Sequence, residues 1–219
     1  MSFVSIFLGI FQGFGITAGV TLYGLCFAVP FALLFGVAQF VSTGVPLIAV
    51  TAIIEFWRSS SVILLLFVFY YVFPVVGIQL SAITVSAMVL GLNAGAYASQ
   101  SIRAGLESLD RGQTEAAIAL GLRRGQSLVL VELPQALTRM LPTFFNQFIQ
   151  LIKGTSLVSL VTLTDMTFRA KELAEIEYNP AGIYIALLLS YFVVCYPVTL
   201  IGRWTEQRIG TTGQVIDDL

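Results

Sequence analysis

The first 54 residues carry no charged side chain, and Glu55 is the first that does. A helix needs about 20 mostly apolar residues to cross a bilayer. This opening is long enough for one crossing and an interfacial piece besides. The rest of the chain continues in the same manner. Of its 219 residues, 57% are hydrophobic and only 11% charged, where a soluble domain carries roughly a quarter charged. Such a chain cannot cover a water-facing surface, so a soluble globular domain is excluded. A disordered chain needs low hydrophobicity and high charge, and is excluded too. A net charge of −1 offers nothing to a nucleic-acid backbone.

The sequence has no histidine. That removes Ser-His-Asp and Cys-His catalysis, His-ligated zinc and His-ligated haem. Cys26 and Cys195 lie far apart in apolar segments and read as small membrane-embedded hydrophobes. No metal site and no catalytic set is expected. The start, MSFVSIFLGI, lacks a basic leader region, so no cleavable signal peptide is expected and the first span should stay in the mature protein.

Five spans are predicted in one domain over 1–219: at about 15–39, 60–76, 80–102, 141–163 and 181–201. Pro30 falls inside the first, where neighbouring helices tolerate it. Residues 3–12 suit the interface. Residues 45–57 are too short to span and read as an elbow helix on the membrane surface, ending at Arg58. The serines at 59–61 suit a helix cap. The aromatic run Phe67, Phe69, Tyr70, Tyr71, Phe73 suits a lipid-facing or interfacial surface. The third span holds Gly91, Gly95 and several Ala and Ser residues, the composition of a tightly packed interior helix. The fourth is unusually polar, with Asn146, Gln147, Gln150, Lys153, Thr155 and Ser156.

Two polar stretches remain, 103–139 and 164–180. An odd number of spans puts the two ends on opposite sides. One side collects Arg58, Arg103, Arg111, Arg123, Arg124, Arg139, Arg203 and Arg208; the other collects Arg169 and Lys171. The positive-inside rule then places the N-terminus outside, and the 103–139 loop and the C-terminus in the cytoplasm. No internal repeat is visible.

The 103–139 loop is not a generic connector. Residues 114–120, TEAAIAL, are strong helix formers. Gly121 suits a tight turn, residues 123–131 suit a second helix, and Pro134 suits the start of a third. The product is a helical hairpin shaped to enter a groove on a partner.

The string Glu115-Ala116-Ala117, then Gly121, then Val131, Leu133 and Pro134 resembles the EAA motif of ABC importer permeases. The family pattern is E-A-A, three residues, G, nine residues, I-x-L-P; the one departure is Val131 for Ile. Ala96-Tyr97, Arg103, Gly112-Gln113, Pro134-Gln135-Ala136 and Lys153-Gly154-Thr155-Ser156-Leu157 extend the likeness to permeases for polar amino acids of the histidine, glutamine and glutamate type. The likeness is close over about 90–160. Gln100 stands where that subfamily usually has Glu, Gly154 where it usually has Asp, and Arg58-Ser59-Ser60-Ser61-Val62 where it has R-G-T-P-L. The run WRSSSVILLLFVFYYVFP looks somewhat like permeases for acidic amino acids.

This resemblance implies a type I ABC importer permease fold. It implies a coupling loop made by Gly112, Gln113, Glu115, Ala116, Ala117, Gly121, Arg123, Arg124 and Pro134, in which Glu115 docks on a separate ATP-binding subunit. Arg123 and Arg124 are either contacts to that ATPase or positive-inside anchors. The candidate substrate path comprises Tyr97, Gln100, Lys153, Thr155 and Ser156. A lysine within a span is costly and usually faces a cavity or a partner; its other reading is snorkelling to the interface. Tyr97 and Gln100 are three residues apart and share a helix face. No cofactor is expected on this chain, since no G-x-x-x-x-G-K-[ST] occurs; ATP and magnesium belong to the partner. The implied partners are two ATP-binding subunits, a second permease in a homo- or heterodimer, an extracytoplasmic amino-acid-binding protein and the lipid of the bacterial inner membrane. The alternative is a secondary transporter or membrane enzyme without an ATPase. It lacks the in-span acids or repeats that secondary transport usually needs.

Overall fold

Small residues set the centre of the molecule. Helix α2 (Phe14–Val41) and helix α5 (Ala82–Glu107) approach backbone to backbone. A methyl group on Gly91 would stand 2.3 Å from the carbonyl oxygen of Gly24, and one on Gly95 would stand 2.7 Å from that of Ala28. In lipid, apolar burial adds little drive to helix association. Close approach through glycine and alanine supplies the packing instead.

The protein is described by a computed structural model covering residues 2–177 and 179–217, with side chains to residue 209. Residue 178 of the expected 164–180 loop and the last two of the expected polar tail lie outside the described residues. Those described are all helical or irregular, with no strand among them.

The order of elements is α1 (Phe3–Phe11), α2, α3 (Val45–Ser59), α4 (Val62–Phe67), α5, α6 (Arg111–Ala119), α7 (Arg124–Ser127), α8 (Leu133–Gly154), α9 (Met166–Ile176) and α10 (Pro180–Asp217). Helix α4 runs on as a π turn, Val68–Val72, and a 3-10 turn, Phe73–Val76. A second π turn, Leu128–Glu132, joins α7 to α8, and a 3-10 stretch, Thr155–Val161, follows α8.

Five spans were expected. Among the described residues three helical stretches are long and apolar enough to cross a membrane: 3–41, 82–107 and 180–209. A fourth is counted if α3 and the 62–76 segment, bent by 94°, make one broken span. Helix α8, the expected fourth span, has 22 residues and so a length of about 33 Å, but its polar side chains keep it below that apolar threshold. Helix α5 extends five residues beyond the expected end at 102, and α2 runs unbroken through Pro30.

Helix α3, the expected elbow helix, packs one face on the bundle: Ile54 is fully buried with Phe31 and Ala96, and Val50 packs on the same cluster, while Val45, Ile48 and Phe56 stay exposed. Its end is tied to the middle of α5. Asn93 Nδ2 donates to the Trp57 carbonyl at 2.7 Å, and the Tyr97 hydroxyl donates to the Arg58 carbonyl at 3.2 Å. Arg58 therefore sits beside the centre of α5. Its guanidinium bonds Glu55 at 2.6 Å and lies over the Tyr97 ring at 5.2 Å, which lowers the cost of a charge there. Ser61 is the N-cap of α4, but its hydroxyl makes no capping bond.

Helix α1, expected at the interface, is packed on the bundle. Ile6 and Ile10 are buried against Met166, Ala170, Ile183 and Ala186, which joins α1 to α9 and α10. Of the aromatic run, Phe67, Phe69 and Tyr70 pack against the central cluster while Tyr71 stays exposed. Cys26 is exposed on α2 and Cys195 is buried on α10; neither is in a disulfide.

Candidate functional site

The hairpin begins at Asp110, whose carboxylate accepts from the Gly112 N–H at 2.7 Å and caps α6. Helix α6 carries Gly112, Gln113, Glu115, Ala116 and Ala117. Of these only Ala117 is buried; Glu115 is exposed. Gly121 turns the chain with φ of +86°, a left-handed conformation open to glycine without steric cost. Leu120 stands at this tip, 85% exposed.

Beyond the tip the structure differs from the expected 123–131 helix. One turn of α7 is followed by the π turn, and Pro134 stands in the first turn of α8. Arg123 is exposed, with its N–H donating to Gln126 Oε1 at 2.9 Å. Arg124 has an internal partner: it forms an ion pair with Glu132, whose side chain is 3% exposed. Ser127, also buried, donates to the same carboxylate at 2.8 Å. The hairpin is tied to α8 a second time by Gln135 donating to Gln113 at 3.4 Å. A crevice of about 560 Å³ opens between these parts, with Glu107, Arg111, Glu115, Arg124 and Glu132 on its walls.

The second feature is a cavity of about 610 Å³ between α5 and α8, with Asn93, Tyr97, Gln147, Gln150, Lys153 and Ser156 among its lining residues. The polar residues Gln147, Gln150 and Lys153 of α8 recur at helical spacing, which puts them on one face. Lys153 and Ser156 also border a crevice of about 720 Å³ between α8 and α10. Three of the five candidate path residues, Tyr97, Lys153 and Ser156, thus come together.

The other two do not. Gln100 donates to Gln39 Oε1 at 2.7 Å, and Gln39 donates to Thr51 at 3.0 Å, which links α5, α2 and α3. Thr155 is fully buried, with its hydroxyl on the Ile152 carbonyl at 2.7 Å. Both serve packing. A further crevice of about 400 Å³ between α2, α5 and α8 is apolar and offers little to a polar solute.

Asn93 was not among the residues singled out, although an amide four positions before Tyr97 shares its helix face. Glu132 was also passed over as a site. Its signal was isolation: it is the sole carboxylate in the sequence between Glu115 and Asp165. Asp165 is the third. It is fully buried and caps α9 through the Thr167 and Phe168 N–H groups at 3.1 and 3.0 Å, and the Tyr191 hydroxyl donates to it at 3.2 Å. Burial holds its carboxyl above the ordinary value of 3.8, against the opposing pull of those hydrogen bonds.

The structure thus joins a helical bundle with a polar cavity-lining face to an exposed helical hairpin. The model of the family of binding-protein-dependent transport system inner membrane components matches residues 28–211, and the chain belongs to that family. Relatives include a probable amino-acid ABC transporter permease of Sinorhizobium fredii, 32% identical over 206 residues (90% of this chain, 86% of that one). Another is a probable glutamine ABC transporter permease of Bacillus subtilis, 31% identical over 203 residues (91% and 93%). Among solved structures, an amino acid ABC transporter with histidines superposes with a TM-score of 0.84 at 26% identity, covering 95% of this chain and 99% of that one. The inward-facing MetNI methionine ABC transporter shares the fold, with a TM-score of 0.74 at 20% identity over 95% and 99%. The protein is therefore a membrane-embedded ABC permease of type I importer fold.

Proposed function

We propose that this chain is the permease subunit of an amino-acid importer in the bacterial inner membrane, driven by ATP hydrolysed on separate ATP-binding subunits. The carrying observation is the hairpin: it displays Glu115 and Leu120 outward and continues directly into α8, the helix that bears Gln147, Gln150 and Lys153. ATP and magnesium are bound by the partner chains, two per complex. A second permease copy or paralogue completes the path, and an extracytoplasmic binding protein delivers the substrate. The N-terminus faces outward and the hairpin faces the cytoplasm.

The amino-acid assignment draws on the names of the relatives and on the cavity. One ammonium beside amides and a hydroxyl suits a carboxylate-bearing polar solute. Lys153 holds the carboxylate, while Asn93, Gln147, Gln150 and Ser156 supply neutral donors and acceptors. ATP binding closes the partner subunits, the hairpins follow them, and the bundles rock between outward and inward openings. The energy passes through the difference in docking between the two states.

The test is purification in mild detergent from the native host. An ATP-binding subunit should accompany the wild-type chain, and should be lost with Glu115→Lys. Uptake should fail on ATP depletion and survive an uncoupler. A chain that purifies without an ATPase, under conditions that keep other importers whole, overturns the reading.

A further inference from the structure

Glu132 is the most deeply buried carboxylate of the hairpin region, and its placement depends on the π turn. Residues five apart diverge by about 140° around an α-helix, so Ser127 and Glu132 would point apart in one. In a π turn five residues close one hydrogen-bonded ring. The Leu128–Glu132 turn therefore brings Glu132 back over Ser127, and Arg124 completes the site from the preceding turn. The carboxylate joins two elements with different tasks. Arg124 and Ser127 belong to the descending arm of the hairpin. Glu132 immediately precedes α8, whose far end carries Lys153. Neutral contacts flank the joint: Leu128 and Ala136 are buried with Ile102 and Leu106 of α5. Those contacts define a close packing but no angle about the π turn; the pair from exposed Arg124 to buried Glu132 does, because leaving the buried carboxylate unpaired is costly.

We propose that Glu132 is a positioning residue for transport: with Arg124 and Ser127 it fixes the angle between the docking hairpin and α8, so that movement of the hairpin is delivered to the cavity-lining helix. This deepens the importer reading and rests on it. It also assigns Arg124 an internal role in place of a contact with the ATPase.

The test uses the complete importer, with its ATP-binding subunits and binding protein, in proteoliposomes. Glu132→Gln keeps the shape and an acceptor for Ser127 but removes the charge; Arg124→Gln removes the same pair from the other side. The measured quantity is substrate imported per ATP hydrolysed, normalised to assembled complex. Each variant should retain its ATPase and lower that ratio by roughly threefold or more, and the double variant should be no worse than either single one. A purely structural role lowers melting temperature and yield and leaves the ratio unchanged, and that result overturns the inference. Should Glu132→Gln assemble poorly, Arg124→Gln, altered at an exposed side chain, gives the same ratio test. A wild-type chain that carries no ATPase overturns the importer reading, and this inference with it.

Discussion

Lys153 stands on the wall shared by two crevices, in a helix otherwise far from any charge until Arg139. If it holds the substrate carboxylate, Lys153→Met should leave ATPase association intact and weaken uptake. A lost charged hydrogen bond corresponds to roughly 10- to 100-fold in apparent affinity. Radiolabelled uptake against co-purification yield checks both halves. Asp165 offers a different residue-scale prediction. Burial raises its carboxyl above 3.8, so the folded state holds the proton more tightly than the unfolded chain. Stability then rises as pH falls from the folded value toward 3.8 and is lost as pH climbs back. Asp165→Asn keeps an oxygen for the α9 cap and should flatten this dependence in melting curves. Asp165→Ala abandons the cap and should cost about 1–2 kcal/mol besides.

At the scale of elements, the α2–α5 contact is the least forgiving. Gly91→Leu forces a side chain into the Gly24 backbone. Overpacking of that kind costs about 1–3 kcal/mol or more. Melting in detergent should drop sharply, while Gly19→Leu, where nothing stands within 4 Å of an added Cβ, should be nearly silent. The α3–α4 bend follows from another element-scale fact. Asn93 and Tyr97 take the carbonyls of Trp57 and Arg58, which satisfies backbone groups left free where the helix breaks and permits the break within the bundle.

For the whole molecule, the orientation is open to labelling. After Cys26 and Cys195 are replaced by Ala, a single cysteine at Gly112 should react only from the cytoplasmic side, and one at Lys171 only from outside. The opposite pattern would invert the topology and place the hairpin beyond reach of ATP. Five crossings also require α8 to cross, despite a polar face that lowers its hydropathy. That face lines a cavity rather than lipid, so composition alone undervalues the helix as a span.

Much of this was legible in the linear order of residues. A 54-residue charge-free opening dictates a membrane, because water cannot solvate it. The spacing from Glu115 through Gly121 to Pro134 dictates a hairpin, because helix formers, a left-handed glycine and a first-turn proline act locally. Lys153 stands out as a lone charge in an apolar helix, while Tyr97 is marked by the family motif and by the helix face it shares with Gln100. What tertiary structure decided was which polar groups meet. Gln100 shares a helix face with Tyr97 by arithmetic, yet α2 brings Gln39 to it first. Arg58 reads as the end of an elbow helix, and only the fold brings Tyr97 of α5 to it. Arg124 reads either as a partner contact or as a positive-inside anchor, and no local pattern announces the π turn that carries Glu132 back to it. Local geometry follows from sequence neighbours; the pairing of distant polar groups depends on how helices cross, and that is set by the packing of the entire bundle.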